Sequence, residues 1–169
     1  MQSRQPTDAQ HRELIASLAL MSAFLRDAFG AITAEEARSE GSPQAFCPVE
    51  QVWHLADVEC YGFGVRLRRL REEANPHLPD FDGARVAKER NYRALLLVEG
   101  LNAFEAARAA NLATLMALSA DEWVRSGTQE GVGLVSLRDM PTLMRRHDEA
   151  HRAEIRDWQK RFGHQTGRA

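Results

Sequence analysis

Apolar residues recur every three or four positions along most of this chain, with polar residues between them, which is the period of a helix buried on one face. Between Asp8 and Phe29 the buried stripe is Leu14, Leu18, Met21, Leu25 and Ala28, and Gly30 is a suitable stop. Thr33 to Pro48 breaks the period with Gly41, Ser42, Pro43 and Pro48, so it reads as a connection with a short turn at Ala34–Arg38. A second helix is expected to start near Cys47–Pro48 and run over Val49–Arg71 through Val52, Leu55, Val58, Phe63, Leu67 and Leu70. Gly62 and Gly64 lie inside it and mark either close packing or a bend.

Asn75-Pro76 through Pro79 interrupts the pattern, and Asp82 can cap a short helix over Ala84–Arg93. A longer helix follows over Val98–Leu118, with Leu101, Phe104, Ala107/Arg108, Leu112, Leu115 and Leu118 on its stripe. Ser126–Gly133 (SGTQEGVG) reads as a flexible glycine-rich connection, without the Lys of a phosphate-binding loop. The last helix is placed at about Ser136–Phe162, opened by a capping box of Ser136 with Asp139, or later with Asp139 as the cap because Pro141 would otherwise fall in the second turn; Gly163 ends it, with a fraying tail from His164 to Ala169. No run alternates as a strand does. The expectation is an all-α fold, a four-helix bundle with one or two short extra helices, in a single domain over 1–169 with its core at about 10–162.

Composition narrows the function. The chain has 169 residues, 44% hydrophobic and 27% charged, which suffices for one packed domain without staples. The net charge of −2, from 22 basic and 24 acidic residues, does not suit a phosphate-coating surface, so no nucleic-acid partner is expected. No apolar run approaches the roughly 20 residues that span a bilayer, and the polar start, Met1 to Gln10, lacks a signal core. A cytoplasmic protein off the membrane is the expectation. Cys47 and Cys60 make no disulfide framework and read as reduced thiols.

The candidate chemistry lies in the histidines. His147 and His151 stand four apart on the last helix, on the stripe of Met140, Met144, Ile155 and Trp158. One divalent ion can bridge that spacing, although an HxxxH pair also arises readily by chance. Asp148 follows the first His where a zinc protease would carry Glu, which argues against that class. His54, in VEQVWHLADVE on the second helix, supplies a third imidazole. Three His from two facing helices fill three positions of an ion and leave one for water, the layout of a catalytic site. Glu50, Asp57, Glu59 and Asp148 are candidates to bond the far imidazole nitrogens. Cys47 is a candidate fourth ligand, and His11, His77 and His164 read as surface residues. Arg66, Arg68, Arg69 and Arg71 read as a solvated face paired with Glu72 and Glu73, or more sharply as an anion patch. Trp53, Trp123 and Trp158 read as core.

The segments PVEQVWHLADVE, GLVSL and RRHDEAHRAEI, in that order, resemble the DinB/YfiT-like superfamily of metal-binding four-helix bundles over about residues 10–162. The resemblance implies that His54, His147 and His151 bind a divalent metal. Zn2+ is the first expectation, with Ni2+, Fe2+ and Mn2+ open, because three imidazoles and water select weakly. It also implies a small-molecule substrate and a homodimer. Some relatives are transferases that use a low-molecular-weight thiol, and others are metal-dependent hydrolases. The alternatives are a non-catalytic metal-binding stress-response protein, whose fourth position a side chain should close, and a bundle with a vestigial site.

Overall fold

The apolar stripes become four long helical rods in the computed structural model, which describes residues 8–40 and 45–162. The first rod is α1 (Asp8–Phe29). The second is continuous: α2 (Pro48–Asp57) passes through a π-helical turn at Val58–Phe63 into α3 (Gly64–Glu72). The short α4 (Gly83–Arg90) follows, then α5 (Leu97–Met116), the single turn α6 (Ala120–Trp123), and α7 (Met140–Phe162). Gly41–Pro43, Gly163 and the tail from His164 lie outside the described residues.

α1 packs against α5 and α7, and so does α2. The first and second rods therefore sit diagonally across the bundle, and the connection after Phe29 must cross it, as long crossover links do. The core is Met21, Leu25, Phe29, Val52, Leu55, Leu101, Phe104, Ile155 and Trp158 at one end. Leu18, Phe63, Leu67, Leu115, Met140 and Met144 continue it at the other. Trp53 and Trp158 are buried as expected, each about a tenth exposed or less, and Trp123 is partly buried against that second cluster.

One expectation needs correction, and two that were left open are decided. The glycine-rich segment is no loose connection. Ser126–Gln129 (β2) and Gly133–Ser136 (β3) form an antiparallel hairpin, and His77–Leu78 (β1) adds a parallel edge in the order β1-β2-β3. Gly131 and Gly133 have φ of +73° and +98°, so the glycines turn the hairpin. Strands of two and four residues are too short to show a period. Second, the last helix starts at Met140, after a 3-10 turn at Leu137–Asp139. The Ser136–Asp139 capping box is present, with the Ser136 N–H and hydroxyl both donating to Asp139 Oδ2 at 2.8 and 2.6 Å. Pro141 then falls in the first turn, where its missing N–H costs nothing. Third, the interruption at Gly62 and Gly64 is a π turn with close packing over it. A side chain at Gly62 would meet Phe81 and one at Gly64 would meet Asn111.

Candidate metal centre

The π turn is what aims the second rod at the last helix. One extra residue in a turn rotates everything after it, so Phe63 reaches the same interior space as His54. The Phe63 ring stands 5.8 Å from the His147 ring. Glu59, inside the turn, is buried. Its carbonyl accepts from the Gly64 N–H and from Asn111 Nδ2.

His54, His147 and His151 meet between α2 and α7. One ligand atom from each lies within 4.8 Å of the others, and among the described residues no Cys or carboxylate joins the set. Ring centroids are 4.5 Å apart for His147–His151, 4.9 Å for His54–His151 and 5.6 Å for His54–His147. Nitrogens sharing a tetrahedral ion at about 2.1 Å stand about 3.4 Å apart, so the set would draw together on binding one. All three imidazoles are largely buried yet not sealed.

Their charge state suits a cation. Burial, then repulsion from His151, lowers the His54 pKa to about 4. Burial, then His151, His54 and Arg108, lowers that of His147 to about 3. Both rings are neutral at pH 7, the form that binds metal. His54 Nδ1 is buried without a hydrogen-bond partner, a costly state for a core nitrogen. The chemistry of the donor set, three imidazoles converging between two helices, fits a divalent ion. Gly83, at the start of α4, makes room for this ring: a Cβ there would lie 2.5 Å from His54 Cε1.

The supporting bonds differ from the expected ones. His151 Nδ1 meets Gln51 Oε1 at 2.7 Å and Glu154 Oε2 at 3.2 Å, and Gln51 Nε2 donates to the same Glu154 oxygen at 2.6 Å. The His151 bond, then burial and Gln51, act on Glu154, whose pKa falls to about 2. Gln51 and Glu154, three residues from His54 and His151, are the orienting pair that helical i±3 spacing alone did not single out.

The four carboxylates expected in that role point elsewhere. Glu50 accepts from the Cys47 N–H and from Arg93. Asp57 accepts from Tyr92 Oη at 2.6 Å and pairs with Arg90. Glu59 and Asp148 both pair with Arg108. Helical spacing does not decide this, since Glu50 and Asp57 stand four and three residues from His54; each carboxylate is taken instead by an arginine from another element. Cys47 is fully buried among core side chains and burial pushes its thiol up to about 11, so it is no ligand. His77 is exposed as expected. His11, expected at the surface, is buried and stacks on Trp123 at 5.3 Å.

Behind the centre lies a charged cluster the sequence reading missed. Arg108 on α5, 1% exposed, makes a two-bond fork to Asp148 at 2.7 and 2.8 Å, a bond to Glu59 at 2.9 Å and one to the Leu18 carbonyl at 3.0 Å. The signal was an Arg on an apolar stripe, four residues after Phe104 and four before Leu112. Because Asp148 adjoins His147 and Glu59 is in the π turn, this cluster ties the two rods that carry the histidines.

The model of the DinB superfamily matches residues 9–155. The chain belongs to the DinB superfamily. Among solved structures, it is similar to YfiT from Bacillus subtilis, described as a probable metal-dependent hydrolase with an unusual four-helix bundle topology. The two share 18% identity with a TM-score of 0.86, over 96% of this chain and 94% of YfiT. At that identity the likeness shows the fold, and the diagonal placement of the first two rods is consistent with an unusual bundle order. No curated protein matches by sequence. Among the described residues of this DinB-superfamily chain, no helix is long and apolar enough to cross a membrane.

Two outcomes follow from the centre. Gln51→Leu is expected to weaken metal binding about tenfold to hundredfold, the usual cost of losing a bond that orients a ligand. Competition with a chromophoric chelator measures it, and an unchanged affinity contradicts the orienting role. The second concerns pH in the metal-free protein. Unfolded His titrates near 6.5, so both lowered histidines hold more protons unfolded than folded between pH 6.5 and their native values. Stability is therefore complete above about pH 6.5 and is lost as pH falls toward 4 and then 3, by up to about 1.4 kcal/mol per pH unit for each group. Urea melts from pH 7 to 5 should show the decline, and His147→Leu should flatten it. A wild-type profile flat over that range rejects the burial of neutral rings.

Proposed function

We propose that this protein is a divalent-metal-dependent enzyme of the hydrolase type, acting on a small molecule at the centre formed by His54, His147 and His151. The observation that carries the reading is the donor set: three convergent imidazoles, with no fourth protein ligand among the described residues. A structural site is normally closed by four protein ligands, whereas a site that does chemistry keeps a position for water or substrate. That comparison favours an enzyme over a metal-stabilised stress-response protein.

His54, His147 and His151 would hold the ion, most simply Zn2+. A divalent cation there supplies Lewis-acid chemistry, polarising the substrate and making water a nucleophile near pH 7. The chain's own residues do the rest. Gln51 and Glu154 fix the His151 ring. Phe46 and Phe63, whose rings lie 5.4 Å from His54 and 5.8 Å from His147, exclude water from two sides. The half-exposed carboxylate of Glu154 stays ionised, because its pKa is lowered to about 2, and so holds the His151 ring as an anion. A transferase that activates a low-molecular-weight thiol would use the same three ligands.

The test is elemental analysis of protein purified without a nickel column. About one divalent ion per chain, lost in His54→Ala and His147→Ala, supports the reading and selects the metal for hydrolysis and thiol-transfer assays. Wild-type protein with no metal, and no uptake on adding Zn2+, Ni2+, Fe2+ or Mn2+, rejects it in favour of the vestigial site.

A further inference from the structure

The arginine run on α3 divides sharply. Arg69 forks onto Glu73 at 2.7 and 2.8 Å and also donates to the His77 carbonyl, and Arg71 donates to Glu122 at 2.6 Å. Those are ordinary surface pairs. Arg66 is different. It is 8% exposed, and its Nε has no hydrogen-bond partner. Its ion pair is a long 3.6 Å contact to Asp80, itself mostly in solvent. A guanidinium is seldom buried with its fork unfilled, because each unpaired donor keeps its full desolvation cost.

Its position gives that cost a use. The Arg66 guanidinium carbon lies 5.8 Å from the centre of the Phe63 ring, and Phe63 in turn lies 5.8 Å from His147. The rod that brings Phe63 to the histidines thus also holds the Arg66 guanidinium over that ring. A second unfilled group lies on the strand facing α3. Gln129 is buried, and its Oε1 has no partner. β2 packs on α3 through Gly127, where an added side chain would meet Leu70 at 3.1 Å. Gln129 lies two residues along, on the same face. Its partner across the sheet is Leu78, which belongs to the cluster with Phe63 and Met144.

We propose that Arg66, with Gln129 on the adjoining strand, recognises a carboxylate of the substrate whose reacting end lies at the three histidines. The planar Nε–Nη fork matches the two oxygens of a carboxylate, and the Gln129 oxygen accepts from an N–H or O–H beside it. This inference rests on the metal reading above and goes beyond it by naming the substrate's chemical class.

The test uses metal-directed probes on the full chain loaded with Co2+. A series of ω-mercaptocarboxylates of increasing length is compared with the matched mercaptoalcohols, because a thiolate is a soft ligand with a visible cobalt absorption band. Metal content is measured in the same samples. At one chain length the carboxylate should bind about ten- to hundredfold tighter than the alcohol, as for a charge-assisted fork. Arg66→Gln should abolish that preference while leaving the metal content and the alcohol's affinity unchanged. If Arg66→Gln melts below the assay temperature, Arg66→Lys replaces it. Lys keeps the charge without the fork, and it should retain at most a few-fold preference. Metal present with no carboxylate preference at any length, or a preference that survives both variants, overturns this inference alone. Wild-type protein that takes up no metal overturns the metal reading and this inference with it.

Discussion

Arg108→Leu is expected to destabilise the fold by about 3–5 kcal/mol, a large part of the stability of a domain this size. The expectation follows from what the substitution leaves behind. Glu59 and Asp148 are both buried, and Arg108 is the cation that bonds each of them. Burial already raises the Glu59 pKa against the pull of Arg108 and Asn111. Without the guanidinium, two carboxylates would face each other in a low-dielectric interior, and the Leu18 carbonyl would lose its donor. Urea unfolding at pH 7 measures the loss as a fall in midpoint. The triple replacement of Glu59, Arg108 and Asp148 by Leu should recover much of it, because removing all members of a buried ion cluster is often close to neutral. A single variant as stable as wild type would mean the cluster is not buried in solution. A triple variant no better than the single would assign the loss to packing.

The second large effect is on metal-linked stability. An ion that binds only the folded state adds about 4 kcal/mol at a thousandfold excess over its dissociation constant. For a chain of this length that is a rise of roughly 8–16 °C in melting temperature. Replacing one ligand removes about a quarter of a four-ligand binding energy of roughly 10–16 kcal/mol, or two to three decades of affinity. At the same Zn2+ concentration His147→Ala or His151→Ala should therefore keep at most about a third of the shift that wild type gains. His147→Ala separates the outcomes best, because the bonds to Gln51 and Glu154 are made by His151 and not by the proposed ligand His147. An equal shift in wild type and both variants would place the ion elsewhere.

Much of the fold was legible in the chain because helical packing repeats. The stripes of α1, α5 and α7 are separate lines of apolar residues spaced three or four apart, and burial follows them residue by residue at Leu18, Met21, Leu25, Leu101, Phe104 and Ile155. The Asp82 cap and the Ser136–Asp139 box were legible too, since each is satisfied within three residues. The short sheet was not. Its pairing of His77 with Thr128 joins segments fifty residues apart, and its strands are too brief to carry a period.

For the centre, the sequence by itself determined which residues could be ligands: an i,i+4 pair on one helix and a third His on another, a relation set by helical geometry. Which groups orient them, and what the neighbouring carboxylates do instead, were decided only by the tertiary structure. Glu59 and Asp148 were read as partners of the imidazoles because they are near them in sequence. They turn to Arg108 because a buried guanidinium draws carboxylates from helices that meet only in the folded bundle. Gln51 and Glu154 reach one another across 103 residues of chain. The same holds for the π turn, whose extra residue rotates Phe63 onto the histidine side. Local periodicity is a property of the chain, whereas the pairing of buried charges and the phase of a helix past an irregular turn depend on contacts that exist only once the elements have packed.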